Sequence, residues 1–167
     1  MKHTSEITIQ APLAKIFAAA SDLARWPEFL PHYRYNRFLS HTPSGGLVKS
    51  SWVRSGIPAT AVVEYRIDTE KRQLHFHHLK STLNATAGLT AIWTFKKLAN
   101  GSIQVSITHE FKRKWPLLKL PGRDWIVAKF FINDIADRTL AGLKRKVEAQ
   151  VAAPVVTARS KARKSAA

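Results

Sequence analysis

The sequence predicts an α+β fold: a curved antiparallel sheet wrapped around a long C-terminal helix, with two short helices after the first strand. Two observations carry that prediction. Six segments between Tyr33 and Lys112 alternate apolar and polar residues and are separated by turn-forming residues. After Pro116, Pro121 and Gly122 the period changes, and Trp125, Ala128, Ile132, Ile135, Ala136, Leu140, Leu143 and Val147 recur at helical spacing. One face of the sheet is polar. The other has to be covered, and that helix is the only element long enough to cover it.

The elements follow in order. Glu6 to Gln10 alternates and reads as a strand. Ala11-Pro12 opens a short helix that places Leu13, Ile16, Phe17 and Ala20 on one side and runs to Ser21. Asp22 to Tyr35 holds two prolines among large apolar side chains. Each proline lacks a backbone donor and restricts its predecessor, so this stretch is a kinked or broken second helix. Strands are expected at Tyr33–His41, Leu47–Ser55, Ala59–Asp68, Gln73–Lys80, Leu89–Lys97 and Ser102–Lys112. Thr42-Pro43-Ser44-Gly45-Gly46, Gly56-Ile57-Pro58, Thr69 to Arg72 and Asn100-Gly101 supply breaks between them. The last strand shows the two faces clearly: Ile103, Val105, Ile107, His109 and Phe111 against Ser102, Gln104, Ser106, Thr108 and Glu110. The final helix, of roughly 25 residues, ends in Lys144-Arg145-Lys146, which complement its dipole. Pro154 is expected to stop it. The division is therefore a domain over 1–150 and a basic, disordered tail over 151–167.

Composition narrows the function. The 167 residues carry a net charge of +16, 45% hydrophobic residues and 0 cysteines. Disulfides and thiolate metal sites are excluded. The N-terminus lacks the apolar core of a signal peptide, and no apolar run reaches membrane-spanning length, so the expected location is the cytoplasm. The positive charge points either to a solvated basic surface or to an acidic partner: a carrier protein, nucleic acid or an anionic membrane. No P-loop, dinucleotide fingerprint, Gly-x-Ser-x-Gly or His-Glu-x-x-His occurs, which leaves no support for those chemistries. Oligomeric state is not legible.

A curved sheet gripping one helix leaves a cavity, and an apolar cavity takes a hydrophobic or aromatic small molecule. Trp26, Phe29 and Tyr33 fall at i, i+3 and i+7, either as an aromatic gate or as a helix docked on the core. Trp52 and Arg54 share a strand face, where Arg54 either stabilises an oxyanion or sits on a solvated strand end. Tyr65, Trp93 and Phe95 lie on apolar faces and are candidate walls. Trp125 and Ile132 are expected to face inward from the start of the long helix. His109 interrupts an apolar face, as a hydrogen-bonded core residue or as a proton shuttle. His75 and His77 share one face and His78 the other. With no third ligand at a persuasive distance, no metal is expected, and no cofactor either.

Ala-Pro after the first strand, followed by Asp22-x-x-x-Trp26-Pro27-x-Phe29-x-Pro31-x-Tyr33, resembles the START-like helix-grip superfamily (SRPBCC) over residues 3–150. The chain is most similar to its polyketide cyclase/dehydrase group, which includes aromatase/cyclases, and to the related coenzyme Q-binding proteins. The resemblance implies the helix-grip fold and a hydrophobic ligand. It also implies acid–base catalysis of polyketone cyclisation or dehydration, with Arg54, Tyr33 and Tyr35 positioning the substrate and moving protons. The alternatives are a non-catalytic carrier of a quinone or lipid and a basic protein that touches RNA or membranes.

Overall fold

The computed structural model describes residues 2–54, 56–111 and 133–164; of residues 54, 84, 111, 133 and 153–164 it describes the backbone only. Strand β1 (Lys2–Ile9) leads into helix α1 (Leu13–Ser21), a single 3-10 turn (Leu23–Arg25) and helix α2 (Trp26–Phe29). Six strands follow: β2 (Tyr33–Thr42), β3 (Gly45–Arg54), β4 (Ile57–Asp68), β5 (Gln73–Ser81), β6 (Leu89–Lys97) and β7 (Ile103–Phe111). Helix α3 (Asn133–Lys164) closes the described chain. The strands form one seven-stranded antiparallel sheet in the order β1-β7-β6-β5-β4-β3-β2. Consecutive strands from β2 to β7 are neighbours, as short hairpin turns require, and β1 pairs with β7 at the far edge.

Alternation sets the two faces. Along β6, Leu89, Ala91 and Trp93 are buried while Thr90, Ile92 and Thr94 are partly exposed. Leu74 and Phe76 on β5, Val63 and Tyr65 on β4, and Val105 and Ile107 on β7 continue the same buried face. Helix α3 covers it with Ala136, Leu140, Leu143 and Val147, the stripe its spacing predicts. Two polar ties hold that helix against the end of β1. Lys144 Nζ donates to the carbonyl of Thr8 at 2.7 Å, and Glu148 Oε1 accepts from the Gln10 N–H at 2.8 Å.

Prolines and glycines shape the details. The carbonyl of Pro12 receives the N–H groups of Lys15 and Ile16 at the start of α1. Pro27 lies in the first turn of α2, where its missing donor costs nothing. Leu30 then leaves the helical region (φ −114°, ψ 87°) and is itself buried. At Gly45 a Cβ would run into the carbonyl oxygen of Tyr65, so the hairpin needs glycine there. Gly142 on α3 lies against the end of α2: a Cβ would collide with Leu30 Cδ2 and lie 3.1 Å from the Phe29 carbonyl oxygen.

Two boundaries differ from expectation. Ile57 and Pro58, read as a break, are the first residues of β4 and pair with Arg54 and Val53. A proline is accepted at the beginning of a strand, where few ladder bonds depend on it. Helix α3 also continues past Pro154, where the sequence predicts a stop. A proline removes one intrahelical bond and crowds the preceding turn, which bends a helix without always ending it. Among the described residues no helix is long and apolar enough to cross a membrane.

Candidate functional site

Between the buried face of the sheet and α3 lies a cavity of about 90 Å³. Its walls are aromatic. Trp26 Nε1 donates to the Ala20 carbonyl at 3.1 Å, which fixes the indole as the chain leaves α1. The Trp26 ring stacks on Trp93 at 5.6 Å and 25°, meets Phe76 at 5.7 Å and stands edge-on to Tyr33 at 5.2 Å. Tyr33 reaches Trp52 at 6.4 Å. Four strands and α2 thus contribute to one aromatic surround, with Val48, Leu89, Ala91 and Ile107 filling between the rings.

The polar groups are few, and among the described lining residues none is Lys, Arg, Asp or Glu. Ser50, Thr86, Thr139, Tyr33, His78 and His109 supply them. Burial holds the Tyr33 phenol protonated, its pKa pushed up from the ordinary value. The two histidines move the other way. Burial lowers His109 to about 4, with a smaller contribution from His3. Burial also lowers His78 to about 3, with smaller contributions from His109 and His77. Both imidazoles are therefore neutral at physiological pH, each carrying one donor and one acceptor nitrogen. His78 Nδ1 is bonded to the Thr86 hydroxyl at 2.9 Å. His109 Nδ1 is shielded from solvent and has no hydrogen-bond partner among the described residues.

A second polar pair fastens the covering segment. The Thr139 hydroxyl donates to the Ile135 carbonyl at 2.7 Å, so its oxygen accepts from His32 Nε2 at 2.9 Å. The Val53 N–H donates to the His32 carbonyl at 2.8 Å. His32 therefore joins the end of the α2 segment to α3 and β3. Burial lowers its pKa to about 4, with the Arg138 charge a lesser cause.

The expected site residues divide. Trp26, Tyr33, Trp52, Trp93 and His109 come together around the cavity. Tyr35 does not join them. A β-bulge between Tyr33 and Tyr35 changes the parity: Tyr33 pairs with the cavity residue Trp52, whereas Tyr35 pairs with Ser51 on the opposite face and stacks under Arg37 at 4.8 Å. Phe29 faces away because α2 is a single turn and Leu30 takes the inner position; its ring lies 5.8 Å from Lys146 Nζ instead. Tyr65 is buried beyond the cavity, bonded through its hydroxyl to His41 Nδ1 at 2.5 Å. Phe95 packs edge-on against Phe17 at 5.4 Å, under α1. Arg54 ends β3, two residues beyond Trp52 and paired with Ile57, and its side chain is outside the description. Trp125 and Ile132 lie outside the described residues.

Residues that the sequence does not single out for the site are also present. His78 shares parity with Leu74 and Phe76, which was a usable sign that it faces inward. Thr139 interrupts the apolar stripe of α3, a weaker sign. Thr86 and Ser50 gave none. His75 and His77 lie on the other face of β5 from His78, and no group of three His, Asp or Glu capable of holding a metal occurs among the described residues.

Comparison with known proteins places this architecture. The sequence profile described as "Polyketide cyclase / dehydrase and lipid transport" matches residues 1–148. A search of curated proteins finds no match. Among solved structures, the ZhuI aromatase/cyclase from Streptomyces sp. R1128 superposes with a TM-score of 0.81 at 14% identity, covering 92% of this chain and 97% of that one. TTHA0849 from Thermus thermophilus gives 0.76 at 17% identity, covering 90% and 99%. A START superfamily protein from Mycobacterium smegmatis gives 0.70 at 15%, covering 89% and 98%. At these identities the structures speak for the helix-grip fold alone. The profile, spanning most of the chain, shows the family: the protein belongs to the polyketide cyclase/dehydrase and lipid-transport family.

Proposed function

We propose that the protein binds a hydrophobic, ring-containing small molecule in the cavity between sheet and α3, and acts on it by acid–base chemistry of the cyclase/dehydrase kind. The observation that carries this reading is the pairing of an aromatic surround with neutral proton-handling groups, above all Tyr33 and the Nδ1 of His109, which has no hydrogen-bond partner among the described residues. A pure carrier needs only the aromatic surround. A buried polar atom without a partner costs stability, so the one His109 brings argues for a ligand that completes it.

In such a reaction a base removes a proton next to a ketone, and the resulting enolate attacks a second carbonyl to form a carbon–carbon bond. The new alkoxide is protonated, and loss of water follows. Tyr33, kept protonated by burial, suits the donor to the developing oxyanion. His109, neutral and with a lowered proton affinity, suits a hydrogen-bond acceptor and a weak base. Arg54 is proposed as a further oxyanion donor from the end of β3. At about 90 Å³ the cavity is smaller than the ~150 Å³ that holds benzene, so a ring-sized group enters only as the side chains around it give way. The proposed ligand-binding unit spans 1–150, in keeping with a family match that ends at residue 148, and 151–167 is a basic extension.

The test is turnover of a short poly-β-ketone thioester, followed by chromatographic detection of cyclised products. Arg54→Ala, Tyr33→Phe and His109→Phe are each expected to lower the rate by about 10²-fold or more while the fold is kept. Unchanged turnover in all three would leave the carrier reading, in which the same cavity holds a quinone or lipid without reacting.

A further inference from the structure

His78 is a cavity residue to which the proposed chemistry assigns no part, and its surroundings are specific. It projects from β5 to the same face as His109 on β7, with one strand, β6, between them. Two strand spacings separate those backbones by roughly 10 Å. His109 stands opposite Ala91 on β6 and Ala91 opposite Phe76 on β5, so His78 lies two residues along β5 from the position directly across from His109. Both imidazoles line the one cavity, and the charge of His109 is a lesser cause of the lowered proton affinity of His78. The Thr86 hydroxyl holds His78 by Nδ1, which leaves Nε2 as its unassigned nitrogen. The Nδ1 of His109 is buried and has no hydrogen-bond partner among the described residues. Thr86 stands after the 3-10 turn Thr82–Asn84, and the Gly88 N–H returns to the His78 carbonyl at 2.8 Å, so this loop is built around His78.

We propose that His78 and His109 together form a polar clamp that selects ligands carrying a hydroxyl or enol oxygen on the ring buried in the cavity. The proposal rests on the ligand-binding reading above and adds to it the chemical class of ligand. The reason is a matching of donors and acceptors. A neutral imidazole presents one of each, and the facing nitrogens present a donor, an acceptor or one of both according to tautomer. A hydroxyl both gives and takes a hydrogen bond, so it satisfies a mixed pair that a bare hydrocarbon leaves unsatisfied. Ring faces are supplied by Trp26, Trp52 and Trp93, which hold the ligand without reading its oxygen.

Phenol and toluene separate the two contributions, because they differ by a hydroxyl in place of a methyl. Binding of each to the full chain can be followed by the chemical shifts of the tryptophan indoles and the histidine imidazoles. Phenol is expected to bind about tenfold more tightly than toluene, the worth of one well-made buried hydrogen bond. His78→Phe and His109→Phe are each expected to bring the ratio of phenol to toluene affinity down to about one. Thr86→Val keeps the imidazole and removes its anchor, so a smaller loss of the phenol preference is expected even if a histidine variant fails to fold. Equal binding of phenol and toluene to the unaltered protein overturns the clamp, as does a phenol preference that survives in the variants. If neither ring binds, the ligand-binding reading itself falls, and the clamp with it; that outcome is distinct from binding without discrimination.

Discussion

One buried and two half-buried histidines make stability depend on pH in one direction. His32, His78 and His109 have proton affinities lowered from the ordinary 6.5 to about 4, 3 and 4. The unfolded chain takes up protons on these rings as pH falls through about 6.5, and the folded chain does not until about 4. The folded state therefore loses stability between those values and is steady above them. Each histidine contributes at most about 1.4 kcal/mol per pH unit. Thermal melts from about pH 7.5 to about pH 4.5 should show a falling midpoint across this window, and His32→Asn should flatten the fall. A midpoint that stays level would contradict the burial of these rings. The same scale shows what the sequence hid. His109 was visible as a polar break in an apolar face, and His78 by its parity with Leu74 and Phe76. The partner Thr86 lies in a loop, where no periodicity reports direction.

At the scale of elements, the segment from Asp22 to Tyr33 carries the site, and its attachment to α3 is the point to test. Leu30 is buried against Gly142, where no Cβ fits. Gly142→Ala gains helix propensity but forces the Leu30 side chain and the end of α2 outward, so it is expected to destabilise the protein by about 1–3 kcal/mol. Urea unfolding measures this directly; a stabilised variant would show that α2 does not seat there. Trp26→Ala removes a buried ring stacked on Trp93 and is expected to cost about 3–5 kcal/mol. The element order, the seven-strand sheet and the apolar stripe of α3 were legible because periods of two and 3.6 survive in the sequence. The bulge at Arg34 was not. One inserted residue exchanges the faces of every residue after it, and nothing in Tyr33-Arg34-Tyr35 marks it. That is why Tyr33 meets the cavity and Tyr35 does not. Phe29 escaped for a related reason: helical spacing has no meaning across a helix that stops after one turn.

Across the whole molecule, charge and cavity are separate properties. The net charge of +16 lies outside the cavity wall, whose described residues are uncharged. Exposed Arg145 on α3 and the residues beyond 150 carry part of it. The full chain is expected to elute from an anionic heparin matrix at higher salt than residues 1–150, while both bind a cavity ligand alike. Loss of ligand binding in the shorter chain would tie the two properties together.

The central claim is that the space between sheet and α3 is a ligand site. Titration with toluene, read at the five tryptophan indoles, tests it most directly. The account predicts saturable shifts at Trp26, Trp52 and Trp93, which line the cavity, and their loss in a folded Ala91→Phe variant that fills it. Absence of saturable shifts at those three indoles, or shifts that persist unchanged in Ala91→Phe, would contradict it.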